Sequence, residues 1–209
     1  MTYRCEALAL GIGNVLWADE GFGVRAIEAL HAAYTFPEAV VLKDGGTQGL
    51  YLFDLIASAR RVLVFDAIDF GLAPGSLRLL RGTEVPAWSA TKLSPHQTGF
   101  NDVLALASLR GEGPEAITLI GVQPEMLADL GGSLRDAVKT RIPEAVELGA
   151  RELASWGFPG QRRDDGDFVP LNASALAMDA YEAGRPSEAD ACRIGDARLL
   201  AGLRPHGGG

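Results

Sequence analysis

Apolar positions along the chain fall into two textures, short unbroken runs and longer stretches in which apolar residues recur every three or four positions. The unbroken runs are Ala7 to Ile12, Ala39 to Leu42, Arg61 to Phe65 and Ala116 to Val122. Runs of this length bounded by turn residues read as strands covered on both faces of a parallel sheet. Helical spacing joins Val24, Ile27, Leu30 and Tyr34, then Leu52, Leu55, Ile56 and Ala59. It recurs in Val103, Leu104 and Leu109, and in Val146, Gly149, Ala150 and Leu153. Ser76 to Arg81 alternates instead, Leu77 and Leu79 against Arg78 after a Pro74-Gly75 turn, which predicts an antiparallel edge strand with one wet face. Strands and helices therefore alternate. The pattern predicts a three-layer α/β fold with a mostly parallel, five-stranded twisted sheet and helices on both faces.

Punctuation between these elements supplies the boundaries. Gly11-Ile12-Gly13-Asn14 is turn chemistry after the first strand, and Asp19 with Glu20 suits the cap and first turn of the helix that follows. Thr47 is placed to cap the second helix, and Ser133 and Asp136 offer a later capping signal. Ser94-Pro95-His96-Gln97 forms a capping box, with Ser94 as cap and Pro95 at the first helical position. Glu84 to Thr91 reads as a loop carrying Trp88. After Gly157 and Pro159 the texture becomes charged and irregular, so the chain divides into an α/β domain over 1–160 and an appendage over 161–209. The appendage is expected to be mobile, with one short helix between Ala173 and Ala183, transient or docked.

Charge and composition narrow the function classes. A net charge of -8 with no run of Lys and Arg argues against nucleic-acid binding, which needs a basic face. Cys5 and Cys192 lie at opposite ends in no metal or redox spacing, which fits a reducing compartment. The apolar run near the start is broken by Gly11 to Asn14 and followed by two acids, unlike a secretory signal or a membrane span. A cytoplasmic protein without membrane insertion is expected.

Three successive strands deliver acids to one edge of the sheet: Glu20 beyond the first, Asp44 after the second, Asp66 after the third. Ligands of open α/β sheets gather outside the carboxyl ends of the strands. His96, in the first turn of its helix, sits at the positive end of the dipole, which keeps the imidazole neutral and its lone pair available. Dinucleotide binding is disfavoured, because Leu16 stands where the Gly-x-Gly-x-x-Gly fingerprint needs its third glycine. Neither a Gly-x-Ser-x-Gly elbow nor a His-Glu-x-x-His helix occurs. Two carboxylates and an imidazole, Glu20, Asp66 and His96, suit a divalent transition metal with coordination positions left open.

The run Leu10 to Leu16 with Asp19-Glu20-Gly21 and Gly23-Val24-Arg25, then Asp44-Gly45-Gly46-Thr47, Phe65-Asp66-Ala67 and Lys92 to Gln97, resembles the nickel-iron hydrogenase maturation endopeptidases. The resemblance covers about Ala7 to Phe158. It implies a peptidase that removes a C-terminal extension from the hydrogenase large-subunit precursor once nickel is inserted. By the same resemblance Glu20, Asp66 and His96 are the metal ligands, the nickel arrives with the substrate, and Asp44 matches a further motif with a catalytic place. The free enzyme is expected to be a monomer. Two readings stay open beside this one: a nickel-dependent chaperone or binding module that grips without cutting, and a peptidase with a resident zinc.

Overall fold

The computed structural model describes residues 4–85, 95–164, 169–172 and 176–185, with the backbone alone at 95–99 and 101. Five strands, β1 (Cys5–Ile12), β3 (Val40–Gly46), β4 (Ala59–Ala67), β5 (Leu77–Arg81) and β6 (Ala116–Val122), form one sheet in the order β3-β1-β4-β6-β5. Within it only β5 runs antiparallel, paired with β6 at the edge. A two-residue strand β2 (Tyr34–Thr35) pairs separately with β7 (Gln161–Arg162).

Strand periodicity divides the core into two halves. Ala7, Ala9, Leu63 and Phe65 face α1 (Phe22–Ala33) and α5 (Ile142–Ser155), meeting Phe22, Ile27, Leu30, Val146 and Leu153. Leu8, Leu10, Val62 and Val64 face the other way, onto Leu52, Ile56, Phe100 and Val103. Those residues come from a 3-10 turn (Gly49–Leu52), α2 (Phe53–Ala57) and α3 (Pro95–Arg110). Leu8, Leu10 and Leu63 are fully buried, each contributing about 1.5–3 kcal/mol by leaving water. These two layers on one sheet are the predicted α/β architecture.

Several boundaries differ from those expected. Gly46 and Gly49 both take positive φ, so the second helix starts with the 3-10 turn and Thr47 does not cap it. That helix ends where the Ser58 hydroxyl donates to the carbonyl of Leu55, which frees Ala59 to begin β4. Tyr34 lies just past α1 in extended backbone, its hydroxyl donating to Glu147 of α5 at 2.9 Å. The capping signal at Ser133 and Asp136 is not used either, because the Ser133 hydroxyl donates to Glu182 and α4 (Asp136–Lys139) has no side-chain cap. Ser94 and Trp88 lie outside the described residues, as does Cys192.

Beyond Pro159 the described residues lie against the domain. Arg163 donates to the carbonyls of His31 and Tyr34, and α6 (Met178–Gly184) overlaps the predicted short helix and ends one residue past it. Glu182 of α6 pairs with Lys139 at 2.7 Å, and the Tyr181 hydroxyl donates to the carbonyl of Gly132. Among the described residues no helix is long and apolar enough to cross a membrane.

Candidate active site

From β1 the chain goes to β3 on one side and then returns across β1 to β4 on the other. Such a switch point opens a crevice at the carboxyl ends of the two diverging strands, here β1 and β4. Glycines let α1 enter it closely. A Cβ on Gly23 would overlap the carbonyl oxygens of both Ile12 and Phe65, so the start of α1 rests directly on the ends of β1 and β4. Gly13, at φ 135°, leaves room for the carbonyl of Glu20, which a Cβ there would strike. The glycines thus serve close packing as much as turning, and they bring Glu20 to the crevice.

Asp19 and Glu20 share a 3-10 turn (Ala18–Gly21) that precedes α1, and they do different work. Asp19 is not the N-cap of α1, which begins at Phe22 without a side-chain cap. Its carboxylate, fully buried, accepts the backbone N–H of Glu125 and Met126 on Oδ2, both at 2.8 Å, and that of Arg135 on Oδ1 at 2.7 Å. Asp19 is therefore a clasp between the turn and the segment after β6. No local signal marks this, since the partners lie more than a hundred residues away.

Asp66 is the next-to-last residue of β4, in the crevice, and is 7% exposed. Burial pushes its carboxyl well above the usual range; a backbone hydrogen bond from Ala67 opposes this, and the charge of Glu20 adds to it. The two acids thus share one electrostatic environment, in which a cation would favour both carboxylates. Gln123, at the end of β6, secures the loop that leaves Asp66. Its Oε1 accepts the N–H of Phe70 at 2.7 Å and of Leu72 at 3.1 Å, while Nε2 donates to Asp69.

Register shows which acids share a face. Asp66 pairs with Gly121, whose missing Cβ points at Ile68 and Phe70 on the α2 and α3 side. His96 belongs to the first turn of α3 on that side, and its side chain lies outside the described residues. Asp44 pairs with Gly11, whose missing Cβ points at Gly23 and Ile27 of α1. Asp44 therefore faces the opposite side of the sheet, two strand spacings from Asp66, or about 10 Å. Its Oδ1 accepts the N–H of Gly46 at 2.8 Å. Glu20 and Asp66 are brought together, Asp44 is set apart from them, and among the described residues no three His, Cys, Asp or Glu side chains gather closely enough to hold a metal.

Comparison with known proteins agrees with this architecture. The profile of the family described as hydrogenase maturation protease matches residues 24–152. The hydrogenase expression/formation protein HupD of Thiocapsa roseopersicina is 49% identical over 97% of this chain and 96% of its own. The protein HoxM of Cupriavidus necator, with the same description, is 53% identical over 92% of this chain and 97% of its own. The solved structure of the hydrogenase maturating endopeptidase HybD from E. coli superposes with a TM-score of 0.73 at 40% identity, covering 77% of this chain and 99% of that one. With its acids at the switch point of a HybD-like sheet, the chain belongs to the hydrogenase maturation protease family and is a peptide hydrolase.

Proposed function

We propose that this enzyme removes a C-terminal extension from the precursor of a nickel-iron hydrogenase large subunit, and does so after nickel has been inserted. Glu20, Asp66 and His96 grip the nickel that arrives bound to the precursor, so the ion is part of the substrate and serves for recognition. Asp44 serves the cleavage from the end of β3, two strands away from Asp66. The observation that carries this reading is the Glu20 and Asp66 pair at the switch point, where burial raises the Asp66 carboxyl and the charge of Glu20 adds to it. A buried carboxyl beside a half-buried one of like charge suits a site that fills with a cation only when a client delivers one. The first turn of α3, which carries His96, lies on the face that Asp66 shares, and an imidazole there completes a mixed oxygen and nitrogen set. The net charge of -8 and the spacing of the cysteines support a cytoplasmic enzyme, monomeric when free of its client.

A precursor lacking nickel offers this trio nothing to hold, and cleavage becomes a checkpoint on metal insertion. The test is to incubate the enzyme with nickel-loaded and nickel-free precursor and to weigh the large subunit by mass spectrometry. Shortening of the loaded precursor alone is expected, and Glu20→Gln, Asp66→Asn and His96→Ala should each leave it at full length. Equal shortening of both precursors removes the role of nickel; unchanged mass in both removes this precursor as the substrate.

A further inference from the structure

The residues after Pro159 reach the end of β3 and bridge two acids there. Asn172 Nδ2 donates to Asp44 Oδ2 and to Glu28 Oε1, both at 2.8 Å. Both partners are carboxylates, which only accept, so the amide nitrogen must face them and each of its two hydrogens serves one. Glu28 also pairs with Arg25 at 2.9 Å, and Arg25, 4% exposed, donates to the carbonyl of Leu176 at 2.6 Å. The tail is thereby tied to α1 at Asn172 and again at Leu176.

For Asp44 the consequence is a fixed carboxylate. One oxygen is held by the N–H of Gly46 in its own turn and the other by the tail. A cavity of about 510 Å³ opens beside it, with Asp44, Thr47 and Gln48 on one side and Leu171 and Asn172 on the other. The tail therefore forms part of the wall at a candidate site residue.

We propose that Asn172 is a positioning residue for the peptidase reaction, acting by holding the Asp44 carboxylate in its working orientation. This rests on the reading that Asp44 serves the cleavage. Chain length gives the proposal its setting. HybD from E. coli, matched over 99% of its length, covers 77% of this chain, and the uncovered share is close in length to the tail from residue 161. The HupD match reaches 97% of this chain and so includes most of the tail. In this chain the segment that fixes the carboxylate belongs to the tail.

The test uses the full-length enzyme and nickel-loaded precursor, with kcat and KM measured from roughly pH 5 to 9. Asn172→Ala should lower kcat about tenfold with KM changed by less than about twofold, the effect of a group left free to turn rather than of lost binding. Asn172→Asp sets a third carboxylate against Asp44 and Glu28, so kcat should fall further at neutral pH. It should then recover as pH is lowered and the new acid gains a proton to donate, an acid-side recovery that a purely structural role would not produce. Circular dichroism checks folding, and if Asn172→Asp does not fold, Asn172→Ala decides through kcat alone. An inactive Asp44→Asn with parental kcat in the Asn172 variants overturns the positioning role and leaves the nickel checkpoint standing. A fully active Asp44→Asn overturns both the positioning role and the place of Asp44 in cleavage.

Discussion

Replacing Asp19 by alanine leaves three backbone donors, those of Glu125, Met126 and Arg135, without the carboxylate that now accepts them. A buried donor left unsatisfied costs about 1–3 kcal/mol, and water reaching these part-buried groups keeps the sum near the low end, about 3–6 kcal/mol. That is a large share of the ~5–15 kcal/mol that stabilises a typical domain. For a chain of this size it corresponds to a fall in Tm of roughly 6–24 °C. Asp19→Asn should be milder, about 2–3 kcal/mol, since its oxygen can keep Glu125 and Met126 while its NH₂ faces the N–H of Arg135. The adjacent Glu20→Gln separates stability from chemistry: its melt should stay within about 2 °C of the parent while cleavage is lost. Thermal and urea melts followed by circular dichroism at neutral pH, beside the precursor assay, measure all three. An Asp19→Ala protein melting within about 2 °C of the parent would refute the clasp.

Two further outcomes test the scaffold. Gly23→Ala should destabilise by about 1–3 kcal/mol although alanine is the better helix former by ~1 kcal/mol, because its methyl meets the carbonyls of Ile12 and Phe65; a Tm at or above the parent's would show that α1 can retreat. Glu152, buried in α5, is pushed up by burial, but hydrogen bonds from Arg81 and Thr118 outweigh this and hold it below its ordinary value of 4.5. A carboxyl lowered on folding contributes stability above its unfolded pKa, and loses it as pH falls below about 4.5 through the folded value. Glu152→Gln should therefore lower the urea midpoint at neutral pH and flatten the acid limb; parallel limbs in parent and variant would count against it.

The elements that were readable in advance are those whose burial is two-sided and local. β1, β4 and β6 are unbroken apolar runs because helices cover both faces, and β5 betrays its edge position through Arg78 between Leu77 and Leu79. Glu20 and Asp66 were readable for a related reason, since a strand end in a parallel sheet has a known destination. The division of labour between Asp19 and Glu20 was not. Either acid suits a helix start, and only contacts with Glu125, Met126 and Arg135 decide which one is structural. Register likewise turns Asp44 and Asp66 to opposite faces, which a list of strand ends does not reveal. Asn172 gave no signal at all, being a single polar residue in an irregular stretch whose partners lie 128 and 144 residues earlier.

The Asp19 clasp grips main-chain N–H groups only, so at positions 125, 126 and 135 it excludes proline and otherwise places no demand on the side chain. Met126, 39% exposed, can be exchanged for another residue without loosening the anchor beneath it. The surface over this turn can thus vary in its side chains while the buried anchor that sets Glu20 stays in register, so outer chemistry and inner scaffold change independently.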